Sequence, residues 1–261
     1  MKTIDISWIN LLFGYLLLVV PILFMWYYRT GLIKDMLISS FRMGLQLFLV
    51  GMYLQYLFIF NNLWINLSWV ILMIFIATIA VTKRSGLKFR MFSLPIIAGF
   101  FTAICFTDAI FLGLIIRLDN FFDARYFIPI TGMIIGNCME RNIIAMNSYY
   151  NNLIQNQSQY NYSLAAGASR KEALRPFMNK ALKDAFNPLI AQMAVIGLIS
   201  LPGTMTGQIL GGSDPSVAIK YQILIMLCIF VATIITVVTT IYFANKFAFD
   251  GYDNIKIGIR R

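Results

Sequence analysis

Long apolar runs, separated by short charged or polar stretches, set the pattern of this chain. Residues 7–28, 43–82, 91–107, 185–213 and 221–245 contain no Asp, Glu, Lys or Arg. A helix needs about 20 apolar residues to cross a hydrocarbon core of roughly 30 Å. Lipid offers the backbone no hydrogen-bond partners, so such tracts must be helical. The pattern predicts an all-α bundle of seven spans, at 7–28, 37–59, 63–82, 92–116, 126–146, 187–211 and 217–243. The longest tract divides at Asn61 and Asn62, which suit a polar turn between two crossings. The whole chain, 1–261, is expected to be one transmembrane domain.

Composition agrees. Of 261 residues, 59% are hydrophobic and 12% charged, where a soluble domain carries about 25% charged residues. The first tract does not match a signal peptide: Asp5 accompanies Lys2, the apolar run is too long, and no small-residue cleavage site follows Tyr28.

The net charge of +10 lies in short segments, which excludes a basic nucleic-acid-binding domain and points to anionic lipid. An outside N-terminus puts sixteen Lys and Arg on the inner side, including Lys83, Arg84, Lys88, Arg90, Arg260 and Arg261. It leaves Lys2, Arg117, Arg125 and Lys220 outside, with Arg42 inside a span. The positive-inside rule then predicts an outside N-terminus and a cytoplasmic C-terminus.

Histidine is absent, which removes the commonest general base and transition-metal ligand. Cys105, Cys138 and Cys228 fall in predicted spans without metal-type spacing. No phosphate-binding loop, dinucleotide fingerprint or nucleophile elbow occurs. These absences speak against an enzyme, and any ATP must be bound by another chain.

Residues 147–184 interrupt the apolar pattern and are too long for a turn. The first part is rich in Asn, Gln, Ser and Tyr. The second, 164–185, predicts an amphipathic helix, with Leu174, Phe177, Met178, Ala181, Leu182 and Ala185 on one stripe. Such a helix suits either the inner leaflet or the surface of a cytoplasmic protein.

Residues 197–212, GLISLPGTMTGQILGG, are unusual for a membrane helix. Pro202 removes a backbone donor and predicts a kink or break. Gly203, Gly207 and Gly211 form a strip that permits close helix approach. Thr204, Thr206 and Gln208 add polar groups at depth. The stretch fits a tightly packed helix pair or a broken helix lining a pathway.

With Asp214, Pro215, Ala218, Tyr221 and Gln222, this stretch resembles the signature of the FetB-type permeases, membrane subunits of bacterial ABC transporters linked to iron export. The resemblance extends to Arg42, Gln46, Leu47 and Gly51, to Pro129, Gly132, Met133, Gly136 and Asn137, and to Leu164–Ser169 as LAAGAS. It implies a multi-pass protein of the bacterial plasma membrane that binds no cofactor itself. A separate ATPase subunit would hold ATP and Mg, and the permease would form a homodimer. Leu164, Gly167, Ala168, Ser169 and Glu172 would couple to the ATPase, with Gly167 and Ala168 small enough for close approach. The acidic-Ala-Ala triplet of importer coupling loops is absent, since Asn161, Tyr162 and Ser163 stand there.

Ionisable groups within spans are functional candidates. Arg42 and Glu140 are expected at equal depth, about 9 Å from the inner edge, as an ion pair or a gate. Asp108 is expected near the outer end of its span. The candidate pathway comprises Arg42, Gln46, Asp108, Asn137, Glu140, Pro202, Gly203, Gly207 and Gln208. Candidate metal ligands are Glu140, Asp108, Cys138, Met139 and Met205, with Asn137 and Met133 nearby; carboxylates suit harder ions and sulfur softer ones. The iron assignment comes from the resemblance alone. An ATP-independent carrier or channel is the alternative.

Overall fold

The computed structural model describes residues 7–199, 201–256 and 258. Lys2, Asp5, Ser200, Arg260 and Arg261 therefore lie outside the described residues. Every regular element among the described residues is helical. Trp8–Gly14 (α1), a 3₁₀ turn at Tyr15–Leu18 and Val19–Tyr27 (α2) form the first tract. Ile33–Phe60 (α3), Leu63–Arg84 (α4) and Phe89–Asp108 (α5) follow, α5 running on into a π-helical segment, Ala109–Ile116. Then come Ala124–Gln155 (α6), Gln157–Ala165 (α7), Arg170–Val195 (α8), Gly203–Leu210 (α9) and Pro215–Ala248 (α10).

Five stretches are long and apolar enough to cross a membrane: Trp8–Tyr27, Ile33–Phe60, Leu63–Arg84, Phe89–Ile116 and Pro215–Ala248. The predicted fifth span, 126–146, lies wholly within α6, but α6 runs 32 residues and carries much of the polar stretch with it. Asn142, Asn152 and Asn156 return their amides to carbonyls one turn back, which keeps the polar helix hydrogen-bonded.

The predicted sixth span, 187–211, is not one helix. Its first nine residues are the end of α8. The chain then turns, with Gly197 at φ +86, and restarts as α9 behind Pro202. The break thus begins at Ile196, six residues before the proline. The predicted helix 164–185 is also divided. Leu164 and Ala165 end α7, Gly167 turns the chain at φ +93, and α8 starts afresh at Arg170. Pro176 and Pro188 lie inside α8 without ending it.

The core centres on α5, α6 and α10, with α4 and α8 packed against α6. The polar turn expected at Asn61 and Asn62 is present and ties two helix starts together. Asn61 adopts φ 36, and its side-chain oxygen accepts the Ala124 N–H at 2.8 Å. Asn62 caps α4 through the Trp64 N–H at 2.9 Å. At the opposite end, Asn245 donates to the Tyr149 hydroxyl at 2.9 Å and fastens α10 to α6. The N-terminal helices stand apart: no residue of α1 or α2 is buried, and only Leu57 of α3 is.

Among the described glycines, the one pressed closest against another helix's backbone lies outside the sequence motifs. A Cβ on Gly99 of α5 would lie 2.8 Å from the Thr236 carbonyl of α10 and would also press on the Thr240 hydroxyl. Gly136, by contrast, has open space around it. We expect Gly99→Ala to destabilise the protein by about 1–3 kcal/mol through overpacking. Gly136→Ala should be neutral or slightly stabilising, as helical Gly→Ala changes are. Thermal unfolding of both variants in detergent checks this.

Candidate functional site

The first turns of α6 and α10 and one face of α9 line a half-open cavity of about 600 Å³. Arg125, Tyr126, Pro129 and Met133 come from α6, Thr204, Gly207 and Gln208 from α9, and Ser213, Val217 and Tyr221 from the turn and α10. A second cavity of about 430 Å³ lies beyond α9, lined by Met193, Gly197, Pro202, Met205, Gln222 and Met226 among others. The broken helix therefore forms a wall between two cavities. Thr204 fixes that wall, its hydroxyl donating to the Gln222 side-chain oxygen of α10 at 2.5 Å.

The glycine strip does not make a tight helix pair. A Cβ on Gly203 or Gly207 would meet nothing within 4 Å, and one on Gly211 would meet only its own helix's carbonyls. Within this chain the strip faces open space, and Gly207 lines the cavity.

Gly207 and Gln208 thus join Pro129 and Met133 at one cavity, while Pro202 and Met205 face the other. Gly203 is exposed between them. Asp108 is buried elsewhere, at the junction of α5 and its π-helical segment. One carboxylate oxygen accepts the Thr131 hydroxyl of α6 at 2.7 Å, and the other has no partner. Cys138 is buried in α6, and Met139 packs against the core. Asn137 turns its amide back to the Met133 carbonyl of its own helix. Among the described residues, no three His, Cys, Asp or Glu side chains gather as a metal site, so Glu140, Asp108 and Cys138 do not form one cluster.

Arg42 and Gln46 are exposed on α3. Arg42 does not pair with Glu140. The cation beside Glu140 is its neighbour Arg141, at 3.6 Å, with Arg141 9% and Glu140 59% exposed in their side chains. Equal depth in two spans did not bring the side chains together, because α3 makes little contact with α6.

The expected coupling residues form an elbow at the far end of the bundle. Leu164 packs against the core, Gly167 supplies the left-handed turn, and Ser169 caps α8. The space around Gly167 is open within this chain, and its φ of +93 is one that glycine adopts without strain. Ser169 and Glu172 make a reciprocal capping box, the Ser169 N–H donating to the Glu172 carboxylate at 2.8 Å. The Ser169 hydroxyl, and then its backbone N–H, hold the Glu172 carboxyl below the usual carboxylate range. The cap's contribution is therefore present above that range and is lost as pH falls through the lowered value.

Sequence reasoning did not single out Tyr126, Ser213 or Tyr221 as cavity residues, and it placed Arg125 only as an outside charge. The proximity of the two helix starts to α9 depends on tertiary packing, which no local pattern encodes. The polar run Thr204, Gly207 and Gln208 was the usable signal.

These features define a multi-pass helical membrane protein whose one broken helix borders internal cavities. The chain belongs to the uncharacterised protein family UPF0014, whose model matches residues 8–249. It is 34% identical over 221 residues to the probable iron export permease protein FetB of Escherichia coli, covering 83% of this chain and 82% of that protein. It is 33% identical over 245 residues to the UPF0014 membrane protein slr1647 of Synechocystis, covering 91% of each. It is 32% identical over 216 residues to protein ALUMINUM SENSITIVE 3 of Arabidopsis thaliana, covering 80% of this chain and 75% of that protein. No solved structure matches the chain.

Two outcomes follow from the site's geometry. Thr204→Val leaves the buried Gln222 oxygen without its donor and should cost about 1–3 kcal/mol, read by thermal unfolding. In a double-mutant cycle, Arg42→Glu and Glu140→Arg should give additive effects with no rescue in the double variant, measured by transport or by unfolding.

Proposed function

We propose that the chain is the permease subunit of an ABC transporter that exports a metal ion, iron foremost, using ATP and Mg bound by a separate cytoplasmic ATPase subunit. The permease acts as a homodimer. Its N-terminus lies outside and its C-terminus in the cytoplasm. In this arrangement α6 supplies the fifth crossing, and the end of α8 with α9 forms a broken sixth.

The observation that carries this reading is the unbroken course of α8. One 26-residue helix runs from the capped elbow at Ser169 to Val195, and the chain continues directly into the segment beside the two cavities. At 1.5 Å per residue it spans about 39 Å. A push at the elbow can thus reach the cavity walls along a single element. Such a lever has a purpose when force arrives from another chain, and this sequence has no phosphate-binding loop of its own. The name of the Escherichia coli relative, an iron export permease, supports the cargo. With no carboxylate or thiolate among the named lining residues, the cavity offers Gln208, Thr204 and Met133 as neutral donors to a passing ion.

Reconstitution with a candidate ABC ATPase subunit tests the proposal. The complex should show ATPase activity stimulated by iron and weakly, if at all, by magnesium alone. Ala166 is exposed on ordinary backbone at φ −77, so bulk there adds no strain. Ala166→Trp should lower the stimulated rate roughly tenfold, a loss of about 1.4 kcal/mol in docking, while leaving insertion unchanged. Full ATP-independent flux by the chain alone would overturn the proposal in favour of a carrier or channel.

A further inference from the structure

The tail after α10 folds back on itself and grips the start of α8. Phe249 and Ile255 form an antiparallel bridge, and the Lys256 N–H donates to the Ala248 carbonyl at 2.9 Å. Within the hook, the Asp250 carboxylate accepts the N–H groups of Tyr252 and Asn254 at 2.9 and 2.8 Å. Asp253 then adopts φ 60, which Asp tolerates better than most residues. Its carboxylate meets the Arg170 guanidinium at 2.8 Å, and its carbonyl accepts the hydroxyl of the fully buried Tyr160 of α7 at 2.8 Å. The Arg170 guanidinium also lies over the Phe249 ring, 5.8 Å from its centre. Three elements thus converge on the hook: α7 through Tyr160, α8 through Arg170 and α10 through Phe249.

The position of this contact gives it significance. Arg170 is the first residue of α8. The other end of α8 leads through the break into α9, and α9 leads through a four-residue turn into the start of α10. The hook joins the end of α10 back to the start of α8. The chain therefore forms a closed mechanical loop, α8 to α9 to α10 and back, and both α9 and α10 wall the 600 Å³ cavity. Away from the hook, α8 packs on α6 and meets α10 at Phe186 and Phe230, whose ring centres lie 6.3 Å apart; the hook adds a polar tie at the elbow end.

We propose that Arg170 and Asp253 are a positioning pair that makes α10 follow α8, so that a push at the elbow moves both walls of the cavity. The pair is half exposed on each side, with 40% of each side chain accessible. It is therefore a register contact, and the test reads coupling rather than stability. The functional arm rests on the transport reading above, whereas the structural arm stands without it.

The test uses Arg170→Gln, Asp253→Asn, the double variant, and Arg170→Lys. Asn keeps the tolerance for positive φ at position 253, so loss of charge is separated from backbone strain. In the reconstituted complex, each neutral variant should retain basal ATPase activity and lose about fivefold or more of its stimulation by iron, the range of ordinary coupling energies. The double variant should lose no more than either single one, and Arg170→Lys should retain most of the stimulation. Additive losses would overturn the pair, as would unchanged stimulation in both single variants.

Hydrogen exchange on the permease alone supplies the independent arm. Asp253→Asn should speed exchange at the Lys256 amide of the hook and at the Ala173 amide, which donates to the Ser169 carbonyl at 2.9 Å. Acceleration confined to the hook would overturn the proposal. If the wild-type complex shows no iron-stimulated ATPase while both amides accelerate together, the transport reading fails and the positioning pair stands.

Discussion

A backbone in hydrocarbon must close its own hydrogen bonds, and most of this molecule obeys that constraint through unbroken helices. Several buried hydroxyls comply as well, the unpartnered Thr240 hydroxyl being an exception. Thr78, Thr82, Thr107 and Thr236 each donate to a carbonyl one turn earlier in the same helix. Against that background, the link between α8 and α9, with Gly197 at φ +86, is the exception. Irregular backbone is tolerated at membrane depth only beside protein or a water-lined space, and α9 separates two such spaces. The break and the cavities are therefore two sides of one requirement: the freed backbone groups need somewhere to face.

The two sides of the bundle are built differently. Between α5 and α10 a glycine brings backbone against backbone, and dispersion over many close contacts holds the pair. Around α9 the glycines face open space, and one hydrogen bond from Thr204 sets the wall's position. Tight packing resists displacement more than the looser seat of α9, where Met205 is the buried side chain beside the Thr204 hydrogen bond. The stiff side can serve as a frame for the mobile side. The N-terminal helices belong to neither, because they bury almost nothing and present their apolar surface outward.

The class of fold was legible because lipid imposes a one-dimensional rule. An apolar run of sufficient length must be a helix, and Asn61 with Asn62 marked a turn that the structure contains. Positions that depend on two distant segments were not legible. Gly99 matters because Thr236 lies opposite, which no spacing within α5 reveals. The Arg42–Glu140 pairing failed for the same reason: equal depth fixes one coordinate, whereas contact requires three. Residues 147–163 read as polar connection, yet they extend α6 and build α7, since asparagines that bond back along their own helix need no apolar stripe. Pro202 drew attention to the right region. The break itself began earlier, at Ile196 and Gly197, where a left-handed glycine costs less than a strained larger residue.

One feature of α8 governs how force travels along it. A proline inside a helix removes the bond to the carbonyl four residues earlier, so Pro176 frees the carbonyl of Glu172 and Pro188 that of Asp184. The two sites lie about 18 Å apart along the axis. The helix is therefore three stiff segments in series, joined at two compliant points, and not a uniform rod. The first compliant point, at Pro176, lies about two turns past the cap at the elbow, and the second, at Pro188, lies about two turns before Val195. Bending strain concentrates at those two joints, and the segment between them carries axial load with little loss. Such a member delivers displacement along its length while filtering out sideways motion, much as a connecting rod with a pin at each end does.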